Sequence, residues 1–190
     1  MSHFFAYMAR MRFINRWALM RNSYTENIQE HSHQVAVLAH ALAVIRNRFF
    51  GGHVDPGAVA VAALYHDASE ILTGDMPTPI KYYNPDIRSA YKQVETVAND
   101  KLLGMLPAEL RPDYEAILQP ADEDIEALVK AADKLSAYIK CVEELKAGND
   151  EFRKAAEQTA AALDSYRLPE LDYFREHFLK SFELTLDEME

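Results

Sequence analysis

The stretch Val35-Ala36-Val37-Leu38-Ala39-His40-Ala41-Leu42-Ala43-Val44-Ile45 is apolar on nearly every side of a helix. Such a helix satisfies its own backbone hydrogen bonds, but its side chains call for neighbours all round, so other elements must enclose it. The pattern predicts a helix from about Ile28 to Arg46 at the centre of the fold. The flanking segments are helical too. Phe4, Phe5, Met8, Met11 and Phe13 or Ile14 recur at helical spacing over about residues 3–14. Asp55-Pro56 combines a carboxylate cap with a first-turn proline and opens a helix running to about Leu72, stopped at Thr73-Gly74. Asn84-Pro85 opens another, ending near Met105, and a Pro-rich connection spans Pro107 to Pro120. Asp122 caps a helix from about Glu123 to Ala147, and Gly148 ends it. The acidic run at 122–126 suits the positive end of that helix. From Asp150 one or two helices follow, broken near Pro169, before a frayed acidic tail. No stretch reads as a strand. The expectation is an all-α fold in one domain, residues 1–190.

Composition narrows the class. A chain of 190 residues with 49% apolar and 26% charged residues can bury a sizeable core in water. No run of about 18 apolar residues suggests a membrane span. The N-terminal stretch, with Arg10, Arg12 and Arg16 spread through it, lacks the layout of a signal peptide. The lone Cys141 has no internal disulfide partner and reads as a small buried residue, which fits a cytoplasmic protein. A net charge of −10 argues against a nucleic-acid polymer as partner. It leaves room for a single nucleotide held by local cations.

The chemistry concentrates in "YHDASEILTGDMPTP", which begins at Tyr65. His66 and Asp67 point about 100° apart on a helix, and Glu70 lies one turn on, between the two directions. His31 falls in the early turns of the central helix. Asp133 borders the apolar stripe Ile125, Leu128, Val129, Ala132, Leu135 and Ile139, where a carboxylate is costly unless paired or metal-bound. Two histidines and two aspartates from three helices suit a divalent transition ion with positions left open. The His-Asp pair taken alone equally fits a hydrogen-bonded core histidine. His33 and His40, and likewise His3, His53 and His177, read as structural or solvent-facing. The Pro-rich loop after Gly74 is too long for a tight turn and is the best candidate for a functional loop.

The order H…HD…D on helices resembles the HD-domain phosphohydrolases. The blocks "INRWALMRN", "TEN..EHS", "YHDASEILTGDMPTPIKY" and "AADKLSAYIKCVEEL" are similar more narrowly to the bacterial 5′-deoxynucleotidase (YfbR-like) family, over nearly the whole chain. The resemblance implies an HD-domain helical bundle with a metal site between central helices. It places the metal ligands on His31, His66, Asp67 and Asp133, for one divalent transition metal ion such as cobalt or manganese. It implies hydrolysis of deoxyribonucleoside 5′-monophosphates by water activated on that ion. It makes Glu70 catalytic, in proton transfer or in orienting water, and gives Arg16 the orientation of the phosphate. Substrate contact is implied for Arg16, Trp17, His31, Asp67, Asp75, Met76, Pro77, Thr78 and Asp133. An indole at Trp17 would leave no room for a 2′ hydroxyl, and Asp75 would accept from the 3′ hydroxyl. Lys81 is a further cation within reach. The family suggests a homodimer. The alternatives are an HD hydrolase of tri-, tetra- or cyclic nucleotides, and an inactive nucleotide-binding HD module.

Overall fold

Side-chain caps set where the long helices begin. Asn27 accepts from the N–H groups of Gln29 and Glu30, and Glu30 returns a bond to the Asn27 N–H. This capping box opens α2 (Ile28–Phe49). Asp55 caps α3 (Pro56–Tyr65), Asn84 caps α6 (Pro85–Gly104) and Asp122 caps α8 (Glu123–Lys146). Shorter pieces complete the chain: α1 (Phe4–Met8), α4 (Glu70–Thr73), α5 (Thr78–Lys81), α7 (Arg111–Leu118), α9 (Arg153–Ser165) and α10 (Pro169–His177). The computed structural model describes residues 1–81 and 83–189, apart from the side chains of Thr78 and Pro79. Among the described residues there is no strand, and the fold is all-α as the pattern predicts. One isolated antiparallel bridge joins Asn15 to Asn27.

The centre is a three-helix core of α2, α3 and α8. Val35, Leu38 and Leu42 meet Val59 and Ala63, and face Leu128, Leu135 and Ile139. Fully buried Ala39, Ala43, Ala63, Ala131 and Ala132 let the backbones approach closely. Leu163 of α9 and Leu171 and Phe174 of α10 close this core. A second cluster packs Phe4 against Ala68, Leu102, Leu106 and Leu118. A third sets Phe152 and Cys141 against Trp17, so the cysteine is buried as its surroundings suggest.

Four expectations need correcting. The first segment splits into α1 and a 3-10 turn, Met11–Phe13. α2 is not enclosed all round: Val37 is 57% and Val44 42% exposed, on the side that also leaves His33 and His40 in solvent. The stretch from 107 to 120 is not only a connection but holds α7, with a proline in its first turn, where the missing N–H costs nothing. The helix opened by Asp55 ends at Tyr65, not Leu72.

A buried polar clamp ties the segment after Trp17 to α8. Lys140 donates to the Tyr24 carbonyl at 2.8 Å and pairs with Glu144, both groups being buried. The Glu144 carboxylate also accepts from Ser23 N–H at 2.9 Å, Ser23 Oγ at 2.7 Å and Asn149 at 2.8 Å. Burial alone would raise the Glu144 carboxyl, but these donors bring it down to about 2. Removing one member strands the other charge. Lys140→Met is therefore expected to cost about 3 kcal/mol in urea unfolding. A loss below about 1 kcal/mol would show that the clamp adds little.

Candidate functional site

The end of α3 is tightened rather than continued. Ala68 N–H bonds to Tyr65 O at 3.0 Å and Glu70 N–H to Asp67 O at 3.0 Å, an i→i+3 pattern. The Ala63 carbonyl there accepts a long bond from His66 N–H at 3.5 Å and lies 2.7 Å from His66 Nδ1. A carbonyl only accepts, so Nδ1 carries the proton. The neutral His66 ring then presents a bare Nε2, which is buried without a hydrogen-bond partner although Asp67 Oδ2 lies 3.2 Å away.

The same holds for His31. Ser136 donates its hydroxyl to Gln34 Oε1 at 2.6 Å, so its oxygen receives His31 Nδ1–H at 3.1 Å. His31 Nε2 is therefore bare when the ring is neutral. It faces Asp133 Oδ1 at 3.1 Å and Asp67 Oδ2 at 3.6 Å. Ligand atoms of His31, His66 and Asp133 all lie within 4.8 Å of one another. Two lone pairs and two carboxylates converging in a buried space repel unless a cation lies among them. Two imidazoles and two carboxylates form a donor set suited to a divalent transition ion.

Electrostatics express the same demand. Burial would lower His66, but Asp67 and Asp133 raise it: without an ion, the carboxylates draw a proton there. His31 is lowered, by burial and by the Arg16 charge. Burial would raise Asp67 and Asp133, yet the two imidazoles and Arg16 hold both well below the usual carboxylate range. Arg16 sets Nη1 3.4 Å from Asp67 Oδ2 and Nε 3.0 Å from Glu26 Oε2. Glu70 differs from the aspartates. Burial, then the charges of Asp67 and Asp75, push its carboxyl up to about 9. At neutral pH, with no ion bound, it holds its proton.

Trp17 sits beside Arg16 with φ 58°, the one positive-φ residue other than glycine among the described residues. A bulky side chain in that region costs free energy, and such residues cluster at functional sites. The indole Nε1 donates to Glu26 Oε2 at 3.1 Å, and the ring leans on Phe152. Gly74 turns the chain with φ 74° at the end of α4, where a side chain would be strained. Asp75, Met76 and Pro77 follow half-buried. Burial raises the Asp75 carboxyl, and it feels the charges of Arg16 and Asp67. The side chain of Thr78 lies outside the described residues. Lys81 pairs with Glu95 at 2.9 Å. The structure thus gathers His31, His66, Asp67, Asp133 and Arg16, with Glu70 and Asp75 coupled to them by charge. Sequence reasoning gave no role to Glu26, Gln34 or Ser136. The available signal was helical spacing, His31 to Gln34 and Asp133 to Ser136 each lying one turn apart.

Solved structures share this architecture. An HD-domain phosphohydrolase from Listeria innocua superimposes with TM-score 0.83 at 23% identity, covering 95% of this chain and 88% of that one. A cyanophage S-2L HD phosphohydrolase, bound to dA and one catalytic Zn2+ ion, gives TM-score 0.60 at 24% identity over 93% and 96% of the two chains. The fold is that of the HD-domain phosphohydrolases. The family profile described as 5′-deoxynucleotidase YfbR-like matches residues 3–182. 5′-deoxynucleotidases of Vibrio vulnificus and Yersinia pestis are each 53% identical, covering 99% and 100% of this chain and 98% and 97% of their own lengths. The chain belongs to the YfbR-like 5′-deoxynucleotidase family.

Glu70 yields a stability prediction. An acid whose pKa is raised on folding destabilises the fold once the unfolded chain ionises, so stability falls as pH rises from about 4.5 toward 9. Glu70→Gln is expected to stabilise the metal-free protein at pH 8 by at least about 1 kcal/mol, with the gain fading toward pH 4. Urea unfolding in chelator at both pH values measures it. A gain independent of pH would argue against a protonated Glu70.

Proposed function

We propose that the chain hydrolyses deoxyribonucleoside 5′-monophosphates to deoxyribonucleosides and phosphate, with one divalent metal ion held by His31, His66, Asp67 and Asp133. Two bare imidazole nitrogens facing two carboxylates carry this reading, because that set asks for a cation. The activity named for the full-length relatives supports it, as does an HD phosphohydrolase of the same fold that holds dA and zinc.

When bound, the ion supplies a water of lowered pKa and polarises a phosphoryl oxygen. The remaining work falls to side chains. Arg16 has its Nε committed to Glu26, which leaves its Nη edge to orient phosphate oxygens. Glu70 holds a proton one turn from Asp67 and can pass it to the leaving 5′ oxygen. A bound cation would bring its pKa down from about 9, toward the range where a group both gives and takes a proton. Trp17 walls the sugar on the side of C2′. Asp75 accepts from the 3′ hydroxyl, and Met76, Pro77 and Thr78 line the substrate from the same loop. His31, Asp67 and Asp133 border the phosphate through their place around the ion.

Cobalt or manganese suits the donor set. The few local cations suit one phosphate better than three, since Lys81 is already paired with Glu95. The net charge of −10 speaks against a nucleic-acid polymer as partner. No helix among the described residues is long and apolar enough to cross a membrane. A cytoplasmic site and one HD domain over residues 1–190 complete the reading. So does a homodimer, which could cover the exposed Val37, Val44, Val61 and Leu64.

Phosphate release from dAMP or dTMP with added cobalt or manganese is expected, lost in chelator and in Asp67→Ala. Turnover confined to triphosphates, cyclic nucleotides or 3′-monophosphates would overturn the assignment. A second test reads metal without activity. Ser136→Ala removes the acceptor that fixes the His31 tautomer, and manganese affinity by calorimetry should fall about tenfold. Unchanged affinity would remove the tautomer argument.

A further inference from the structure

One carboxylate oxygen serves both residues assigned to the two ends of the substrate. Glu26 Oε2 accepts from Arg16 Nε at 3.0 Å and from Trp17 Nε1 at 3.1 Å. Glu26 is only 8% exposed, and its backbone carbonyl also accepts from Arg16 N–H at 2.9 Å. Ile28 N–H bonds to Ile14 O at 2.9 Å on the other side of the Asn15–Asn27 bridge. The arm carrying Arg16 and Trp17 is thus fastened at residues 26–28, where α2 begins. The side-chain bonds do more than fasten it. With Nε taken, the guanidinium cannot rotate its Nη edge away from Asp67. With Nε1 taken, the indole is held in one orientation on a backbone whose φ is 58°.

We propose that Glu26 is a positioning residue that sets the sugar selectivity and phosphate alignment of the enzyme through Trp17 and Arg16. The inference rests on the deoxynucleotidase reading given above. In this role Glu26 acts through Arg16 and Trp17, the side chains its carboxylate holds. An indole that only fills space near the sugar is a weak discriminator, since a small shift would admit a 2′ hydroxyl. One held by a charge-assisted bond has no such slack. The same anion keeps the guanidinium aimed at the phosphate, so one substitution should disturb both ends of the substrate together.

Glu26→Gln keeps shape and an acceptor oxygen but weakens both bonds by removing the charge; Glu26→Met removes the acceptor. The preference for dAMP over AMP, taken as the ratio of kcat/KM values, is expected to fall about threefold in the first and about tenfold or more in the second. Manganese affinity should stay unchanged in both. The chain has one tryptophan, so its emission reports Trp17 alone. Emission anisotropy should drop in the same order as the ring loosens. A purely structural role would lower both substrates alike and leave the ratio intact. A Glu26→Gln protein matching the wild type in ratio and anisotropy overturns the proposal, even if Glu26→Met does not fold. A wild-type enzyme indifferent to the 2′ hydroxyl would sink the deoxy reading instead, and anisotropy alone would then decide whether Glu26 holds Trp17.

Discussion

Mutual repulsion among two imidazole nitrogens and two carboxylates is the constraint around which the helices are arranged. His31 Nε2, His66 Nε2, Asp67 and Asp133 approach to between 3.1 and 3.6 Å, with both imidazole protons committed elsewhere. With both rings neutral and no cation, such a set would push its helices apart. It is held by packing that does not depend on it: alanines along α2, α3 and α8 bring the three backbones close enough for short side chains to meet. Each imidazole proton is anchored on the side away from the cluster, at Ala63 O and Ser136 Oγ. The rings therefore present lone pairs by construction rather than by chance of rotamer.

Stability is given up in places to achieve this. A buried Glu70 with its carboxyl near 9 opposes folding at neutral pH, and Trp17 sits in a backbone region that its bulk disfavours. Offsetting bonds lie close by. The Lys140–Glu144 pair gathers Ser23, Tyr24 and Asn149 and so holds the chain just beyond Trp17. Residues 14–16 are stitched to 26–28 before it. The strained residue is thus fixed on both sides.

Much of this was legible in the sequence, and what was not has physical causes. The caps Asp55, Asn84 and Asp122 marked helix starts correctly because a side-chain acceptor at that position is a local device. The break after Tyr65 was not visible. Residues 61–73 are rich in good helix formers, so propensity continues the helix, whereas the chain tightens into i→i+3 bonds and turns the His66 ring onto the Ala63 carbonyl. The all-round apolar run of α2 overstated its burial, since small residues leave little to hide and Val37 and Val44 remain in water. The residues proposed as ligands stood out as polar groups on apolar faces. Their supports did not: a glutamate, a glutamine and a serine are ordinary on helices, and only the fold brings Glu26 to Arg16 or Ser136 to Gln34.

The charge balance explains why a strongly acidic chain would need an ion at this point. With both imidazoles neutral, Asp67, Asp133 and Glu26 against Arg16 leave two net negative charges, and a neutral Glu70 adds none. A phosphate monoester brings up to two more negative charges and would be repelled from a low-dielectric site of that sign. A divalent ion would cancel that charge and give the phosphate a local counter-charge. In the proposed reading, metal dependence is therefore set at binding as well as at chemistry. The site would also favour substrates that carry a phosphate, since only these bring an anion to the ion's open positions.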